Sequence, residues 1–480
     1  MLRAAQVSSV VAACLGAGEE AWLVGGAVRD GLMGKASRDL DFAVRGDAQA
    51  LARRVADLLG GSFFVYSEAF STFRVVLAGG FVDFAALRGD CIEDDLAARD
   101  FTVDAMALPA RGGHPGPRVG VGRVIDPLGG LADLHARRLV PCSPEAFLDD
   151  PLRVVRLARL AVAFGLEPVP VALSLAQGAA GRLRAVSGER VRQELTALLG
   201  LGGAVDGLRL LDETGAVAVL LPELETLKGV EQNRFHHLDV YGHTLEAVER
   251  VPAVVGQLGG ERFLATPDDC GLAGAPPLAP LMFAALFHDL GKPGVKQLAE
   301  DGRVIFWHHD ELGADMALGI ARRLGMSRRF QAYLALLIRN HLRLGFLVRE
   351  APLTRRALVR YRRAVEPYVF ESVVLSLVDR LATRGERTSA ASIARHYRLA
   401  REVWLEIPKE RRRPLLDGDQ IKALLGLEEG REVGEALAAL QDETDALEVR
   451  TPGDAAAFLV QWWAQRQAAA EAARDVADGG

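Results

Sequence analysis

Cysteine is scarce and scattered: Cys14, Cys91, Cys142 and Cys270 are the only four in 480 residues, and no two form a Cys-x-x-Cys pair. That pattern excludes a zinc knuckle and a secreted disulfide framework, and it fits a reducing, cytoplasmic setting. Long apolar runs are also missing. The stretch from Val7 to Gly18 comes nearest to a targeting segment, but it is too short to span a bilayer and runs into Glu19 and Glu20. It reads as an amphipathic helix, and no membrane partner is expected. Lysine is nearly absent, since 51 of the 57 basic residues are arginine. Internal repeats and low-complexity stretches are absent.

What is present is enough apolar material to bury large interiors. Half the residues are hydrophobic and 25% are charged, which excludes a disordered polymer. At about 150 residues per domain the chain should hold several units. The net charge of -6 is unevenly spread. Ala321 to Arg363 carries twelve Arg, no Lys and one acid, and Pro151 to Gly200 carries a surplus of +4. Two basic segments on an otherwise acidic chain suggest a polyanion docked along one side.

The apolar spacing predicts an α+β fold. A helix to Ala17 leads to a strand Ala21 to Val24 and a helix from about Val28. A strand Asp39 to Val44, a helix Ala48 to Leu59 and strands Thr72 to Leu77 and Phe81 to Ala86 follow. After Asp150-Pro151, an Asp cap followed by Pro, the spacing is helical almost to the end. Gly271 to Pro280 reads as a loop between helices, and Ala455 to Ala477 as a terminal helix.

Chemistry concentrates first between residues 23 and 104. In Leu23-Val24-Gly25-Gly26-Ala27-Val28-Arg29-Asp30 two glycines stand between a strand and a helix, where backbone amides can receive phosphate oxygens. In Asp39-Leu40-Asp41-Phe42-Ala43-Val44 the alternation puts Asp39 and Asp41 on one face and Leu40, Phe42 and Val44 on the buried one. Paired carboxylates repel each other unless a cation lies between them, and oxygen ligands suit Mg²⁺ bound to substrate phosphates. Asp83 alternates in the same way on a later strand and is a third candidate ligand. The constellation points to phosphoryl or nucleotidyl transfer.

Six motifs then occur in the order of one family: Leu23 to Asp30, Arg38 to Val44, Asp95 to Ala107, Asp126 to Gly130, Asp149 to Arg156 and Glu189 to Leu195. The chain resembles the class II tRNA nucleotidyltransferase / bacterial poly(A) polymerase family. The resemblance implies a polymerase-β-like α/β head over 1–140, a helical neck and body with nucleotide-selecting and RNA-binding helices over 141–235, an HD domain over 236–385 and a helical tail over 386–480. It implies addition of nucleotides from CTP and ATP to a tRNA 3′ end without a nucleic-acid template, releasing pyrophosphate. Carried over by position, Gly25, Gly26 and Arg29 would meet the triphosphate, Asp39 and Asp41 would hold Mg²⁺, and Arg99 and Asp100 would reach phosphate and ribose. Asp150, Arg153, Arg156 and Arg159 would form the nucleotide pocket. With Asp150 and Arg153 three apart at a helix start, an acceptor would stand beside a donor fork, matching cytosine or adenine and rejecting uracil.

The sequence departs from the family pattern at Asp149 for Glu, Ala98 for Arg and Asp104 for Asn. Only fifteen residues separate Asp83 from Arg99, without Pro or Tyr, where members that add the terminal A usually have a longer flexible loop. A CC-adding enzyme that leaves A addition to a separate partner is therefore expected. A complete CCA-adding enzyme, a poly(A) polymerase and, from another class, an HD-domain phosphohydrolase remain alternatives.

A second set comprises His243, His288-Asp289, His308-His309-Asp310, His341 and Asp379. It resembles the HD phosphohydrolase superfamily, which implies His243, His288, Asp289 and Asp379 as metal ligands, with His309 and His341 as further candidates. Imidazole plus carboxylate suits Mn²⁺, Ni²⁺ or Fe²⁺.

Overall fold

Alternating side chains build the central strand of the first sheet. In β2 (Asp39–Arg45) Leu40, Phe42 and Val44 are buried while Asp39 and Asp41 face outward. The computed structural model describes residues 4–37, 39–68, 71–111, 124–233, 236–347, 354–385, 389–406 and 415–478. Six strands make up the sheet: β1 (Glu20–Val24), β2, β3 (Ser62–Ser67), β4 (Thr72–Leu77), β5 (Gly80–Ala86) and β6 (Ala107–Pro109), in the order β3-β4-β5-β2-β1-β6. Only β2 and β5 run parallel, because the chain between them passes through the helix Ala48–Leu59 and the β3–β4 hairpin. Asp47 caps that helix by accepting from the Ala50 amide at 2.9 Å, and Gly60, at φ 65°, ends it. Leu51, Ala52, Val55 and Ala56 bury its inner face, and the Phe42 and Phe84 rings stack at 5.5 Å. Full burial of such apolar side chains is worth about 1.5–3 kcal/mol each.

The expected helices and strands of this region are present, but β3 and β6 are additional. Ser-Phe-Phe-Val-Tyr-Ser lacks the alternation that marks a half-buried strand, and β6 is only three residues long.

The chain divides into two compact units, Met1–Pro222 and Glu223–Gly480. The remainder of the first unit is helical apart from a two-stranded pairing of Arg138–Leu139 with Glu167–Pro168. The second unit is built around the helices Val240–Gln257, Ala279–Phe287, Arg328–Asn340 and Val369–Ala382. Every residue of Ala279–Phe287 is buried, as an all-apolar helix requires. A short ladder of Gln297–Leu298 with Val304–Ile305 interrupts the helical pattern, and the terminal helix spans Pro452–Asp478. Among the described residues no helix is long and apolar enough to cross a membrane, and the four cysteines are unpaired.

One expectation is corrected here. The arginine-rich segment does not present its full surplus of charge. Arg323 pairs with Glu223 at 2.9 Å, Arg339 with Asp315 at 2.9 Å and Arg356 with Glu443 at 2.6 Å. Arg360 lies 3.6 Å from Asp442, and Arg363 meets both Asp442 and Asp445. A helix, Arg355–Val365, is thus held by charge to the helix Arg431–Asp445, whose acids stand some eighty residues away in the chain. A tally along the sequence cannot register that neutralisation.

Candidate active site and candidate metal centre

In the first unit the ladder β2–β5 sets Asp41 opposite Asp83 and Asp39 opposite Phe81. Asp41 is exposed to solvent, yet its pKa is pushed up to about 6, first by desolvation among the surrounding protein atoms and then by the Asp83 charge, with Arg99 opposing and Asp39 adding. Asp83 is more enclosed, and both its oxygens accept from Arg74, at 2.8 Å from Nε and 2.7 Å from Nη2.

The turn before the first helix, Gly26–Leu32, explains its glycines. Gly25 has φ 71°, and a Cβ there would come within 2.9 Å of Arg99 Nη1 and 3.9 Å of Asp41 Oδ2. A side chain at this position would occupy the space between Arg99 and the carboxylates. The Gly25 amide donates to the Met106 carbonyl at 3.3 Å. At Gly26 a Cβ would meet Arg29 Nη2 at 3.2 Å. Arg29 itself is buried: it pairs with Asp104, donates to Asp30 at 2.9 Å and lies 3.6 Å over the Phe164 ring. Arg99 is aimed by Asp95, which accepts from its Nη2 at 3.0 Å. Asp100 is buried, accepts from the Phe101 amide at 3.0 Å and lies 3.3 Å from Arg156. Burial works to raise its pKa, but Arg156, that amide, Arg153 and Arg99 together hold it below its ordinary value.

Asp150 and Arg153 do not stand side by side on one helix face. Asp150 is extended, at φ -142°, ahead of the helix Arg153–Phe164, and its carboxylate accepts from the Leu152 amide at 3.2 Å and from Arg190 at 2.7 Å. Arg153 donates to the carbonyls of Ala146 at 3.0 Å and Ala98 at 2.9 Å. Pro151 displaces the helix start to Arg153, so three residues of spacing are not one helical turn. Arg156 and Arg159 converge on Glu194, at 3.5 Å and 2.6 Å. Arg190 and Glu194 both lie in the motif Glu189 to Leu195, where local spacing alone does not mark them as partners of Asp150 and Arg159. Arg74 carried no motif signal at all.

Another motif proves to be architectural. Asp126 caps the helix Gly130–His135 by accepting from Gly130 at 2.7 Å and Leu131 at 2.9 Å, and a Cβ on Gly130 would sit 2.0 Å from the Thr102 carbonyl oxygen.

In the second unit six of the expected side chains converge. Asp289 lies between two groups: its Oδ2 is 3.4 Å from His243 Nε2 and 3.1 Å from His288 Nε2, and its Oδ1 is 3.4 Å from His309 Nε2 and 3.8 Å from His341 Nε2. Asp379 is 3.1 Å from His243 Nε2. His243, His288 and Asp379 can share one ion, and Asp289, His309 and His341 another. The local fold prepares the rings for this. His288, His309 and His341 set Nδ1 at 2.8, 2.7 and 2.6 Å from the carbonyls of Ala285, Phe306 and Ile338. A carbonyl only accepts, so Nδ1 carries a proton and each ring turns its Nε2 to the centre. Burial, then the neighbouring His288 and His309, push His341 down to about 4, keeping it neutral.

The donor set fits a cation. His288 Nε2 and Asp289 Oδ1 are buried without a hydrogen bond of good geometry, an arrangement that is costly unless an ion satisfies it. Lys292 is buried with Nζ 2.7 Å from both Asp289 Oδ2 and Gln232 Oε1. A Cβ on Gly291 would meet the His309 carbonyl oxygen at 2.2 Å, so only glycine lets the two histidine-bearing segments close up.

Comparison with known proteins matches three stretches of the chain. Residues 21–140 match the poly A polymerase head domain, 172–228 the probable RNA and SrmB-binding site of polymerase A, and 255–384 the HD domain. An A-adding tRNA nucleotidyltransferase of Deinococcus radiodurans is 37% identical over 452 residues, covering 92% of this chain and 95% of the relative. A CC-adding tRNA nucleotidyltransferase of Thermus thermophilus is 35% identical over 466 residues, 95% of this chain and 97% of the relative. Among solved structures, a CCA-adding enzyme with ATP superposes with TM-score 0.64 at 18% identity over 95% of each chain. The Thermotoga maritima CCA-adding enzyme complexed with tRNA gives TM-score 0.61 at 18% identity over 95% of this chain and 94% of that one.

Proposed function

Because the chain belongs to the tRNA nucleotidyltransferase family, we propose that it transfers cytidylate from CTP to the tRNA 3′ end and stops after CC, a separate A-adding enzyme acting afterwards from ATP. The observation that carries the transferase reading is the pair Asp39 and Asp41 on one strand face, beside a glycine turn that leaves room for Arg99. Asp39 and Asp41 would hold Mg²⁺, which when bound lowers the pKa of an attacking hydroxyl and neutralises charge on the leaving pyrophosphate. Asp41 is crowded by like charge, so its carboxylate is poised to take a cation. Arg99, steered by Asp95, supplies positive charge across the space that Gly25 leaves open beside Asp41. Asp150 reads the base amino group by exchanging its Arg190 partner for it, a change that costs under about 1 kcal/mol because such pairs are exposed. Arg153 is already held by the carbonyls of Ala146 and Ala98, so the base reading rests on Asp150 rather than on an Asp150–Arg153 pair.

Support for the CC subtype is the tied connection after β5. Arg88 N–H donates to Asp95 at 3.2 Å, Asp90 and Cys91 N–H donate to Asp94 at 3.0 and 3.2 Å, and Leu87 N–H donates to Val44 O at 2.9 Å. A segment held at four amides has little freedom to reshape a pocket from C to A. The test is to incubate tRNA lacking its CCA end with CTP and ATP and sequence the products. Products ending in CC are expected, and CCA ends or A tails would overturn the subtype. Incorporation of A alone onto tRNA already ending in CC would assign the specificity named for the Deinococcus relative.

For the second unit we propose a centre for Mn²⁺, Ni²⁺ or Fe²⁺ on His243, His288, Asp289 and Asp379, extended by His309 and His341, which activates water against a phosphate ester. Metal analysis of purified protein and phosphodiesterase turnover before and after His288→Ala test it. Protein without bound metal under reconstitution, or turnover unchanged by the substitution, would reject it.

A further inference from the structure

The face that bears the carboxylates continues across the sheet to its edge. Asp41 stands opposite Asp83, Asp83 opposite Arg74 and Arg74 opposite Phe64, and directly opposed residues share a face. At the end of this row Phe64 and Tyr66 of β3 are 54% and 60% exposed. The edge strand holds one residue more than its partner. Val65 pairs with Phe73 and Ser67 with Thr72, which leaves Tyr66 as the extra residue of a bulge. A bulge re-aims the side chain it inserts, and here the Tyr66 ring lies 3.9 Å from the Arg74 guanidinium. That guanidinium is also 3.7 Å from the Phe81 ring and is fixed edge-on by Asp83. Both rings thus cover the one guanidinium, and the Tyr66 end of this Phe81–Arg74–Tyr66 cluster opens to solvent.

We propose that Tyr66, backed by Arg74 and Phe81, is a stacking platform for an unpaired base of the RNA acceptor end, upstream of the reacting 3′-hydroxyl. The proposal deepens the reading of the first unit as a nucleotidyltransferase and rests on it for the position of the RNA end. Three interstrand spacings separate the platform from Asp41, roughly 14 Å, which suits an upstream nucleotide rather than the one that reacts. The Arg74 charge is already matched by Asp83, so the platform offers a π-face rather than a phosphate contact, and stacking of this kind accepts any base. Its sequence also needs an occupant: Ser-Phe-Phe-Val-Tyr-Ser left bare on an edge strand is a pairing hazard.

The experiment uses the full chain with tRNA lacking its CCA end, carrying 2-aminopurine at its last unpaired position. Tyr66→Ala should raise the KM for tRNA about tenfold, leave the KM for CTP unchanged and abolish the fluorescence quench seen with the parent protein. Tyr66→Phe should restore both, which a loss of folding would not permit. A quench and tRNA KM unchanged in Tyr66→Ala would overturn the platform, as would failure of Tyr66→Phe to rescue. A change in sedimentation without a change in tRNA affinity would assign the edge to protein pairing and overturn it too. The quench reports binding alone, so it is also read in Asp39→Ala. Transfer surviving in that variant would sink the transferase reading, whereas the platform stands or falls on the quench.

Discussion

Asp41, a proposed Mg²⁺ ligand, lowers the stability of the protein that carries it. An acid whose pKa rises on folding, here from 3.8 to about 6, subtracts stability when ionised. The penalty is absent below the ordinary value and complete above about 6. Asp41→Asn should therefore melt higher than the parent at pH 8 without Mg²⁺, and the difference should shrink as the pH falls from 6 toward 4. The same variant should lose transfer and the stabilisation that Mg²⁺ gives the parent. Thermal melts at pH 8, 6 and 4 with and without Mg²⁺ check all three. Asp39 and Asp41 were legible beforehand because period-2 alternation is local. Arg74, Arg190 and Glu194 were not, because their partners lie 9, 40 and 35 residues away, and nothing in their immediate neighbours marks the pairing.

Among the elements, the segment Asp126 to Gly130 separates a motif's chemistry from its architecture. Asp126 is a helix cap, whose loss costs typically about 1 kcal/mol. Gly130 lets that helix lie against the Thr102 carbonyl, where a methyl group would sit 2.0 Å from the oxygen. Gly130→Ala should therefore lower the melting temperature several times more than Asp126→Ala, with transfer per folded molecule retained by the latter. Calorimetry and single-turnover assays would read this. Helix and strand periods placed most elements close to where they stand, but the helix start after Asp150 moved to Arg153. Pro151 suits a first turn, yet the turn it makes lies outside the helix, and the expected Asp150–Arg153 pair dissolves with that shift.

For the whole molecule, charge is the property that folding redistributes most. Arg356, Arg360 and Arg363 secure the helix Arg355–Val365 to Asp442, Glu443 and Asp445. Arg363→Ala should lower stability by about 1 kcal/mol or more, since its partners are half-buried, while the slope of log tRNA affinity against log salt stays unchanged. A slope reduced by about 1 would instead place that arginine on a phosphate, and binding isotherms between 50 and 200 mM salt distinguish the two. By itself the sequence determined the α/β head followed by helices, the Asp39/Asp41 face and the His and Asp types of the second unit, because each is written in local periodicity or residue chemistry. Only the tertiary structure decided which charges cancel, that Asp289 stands between two imidazole groups, and that the carboxylate face runs on to Tyr66. Those facts depend on strand register and on distant segments meeting, and no local pattern encodes them.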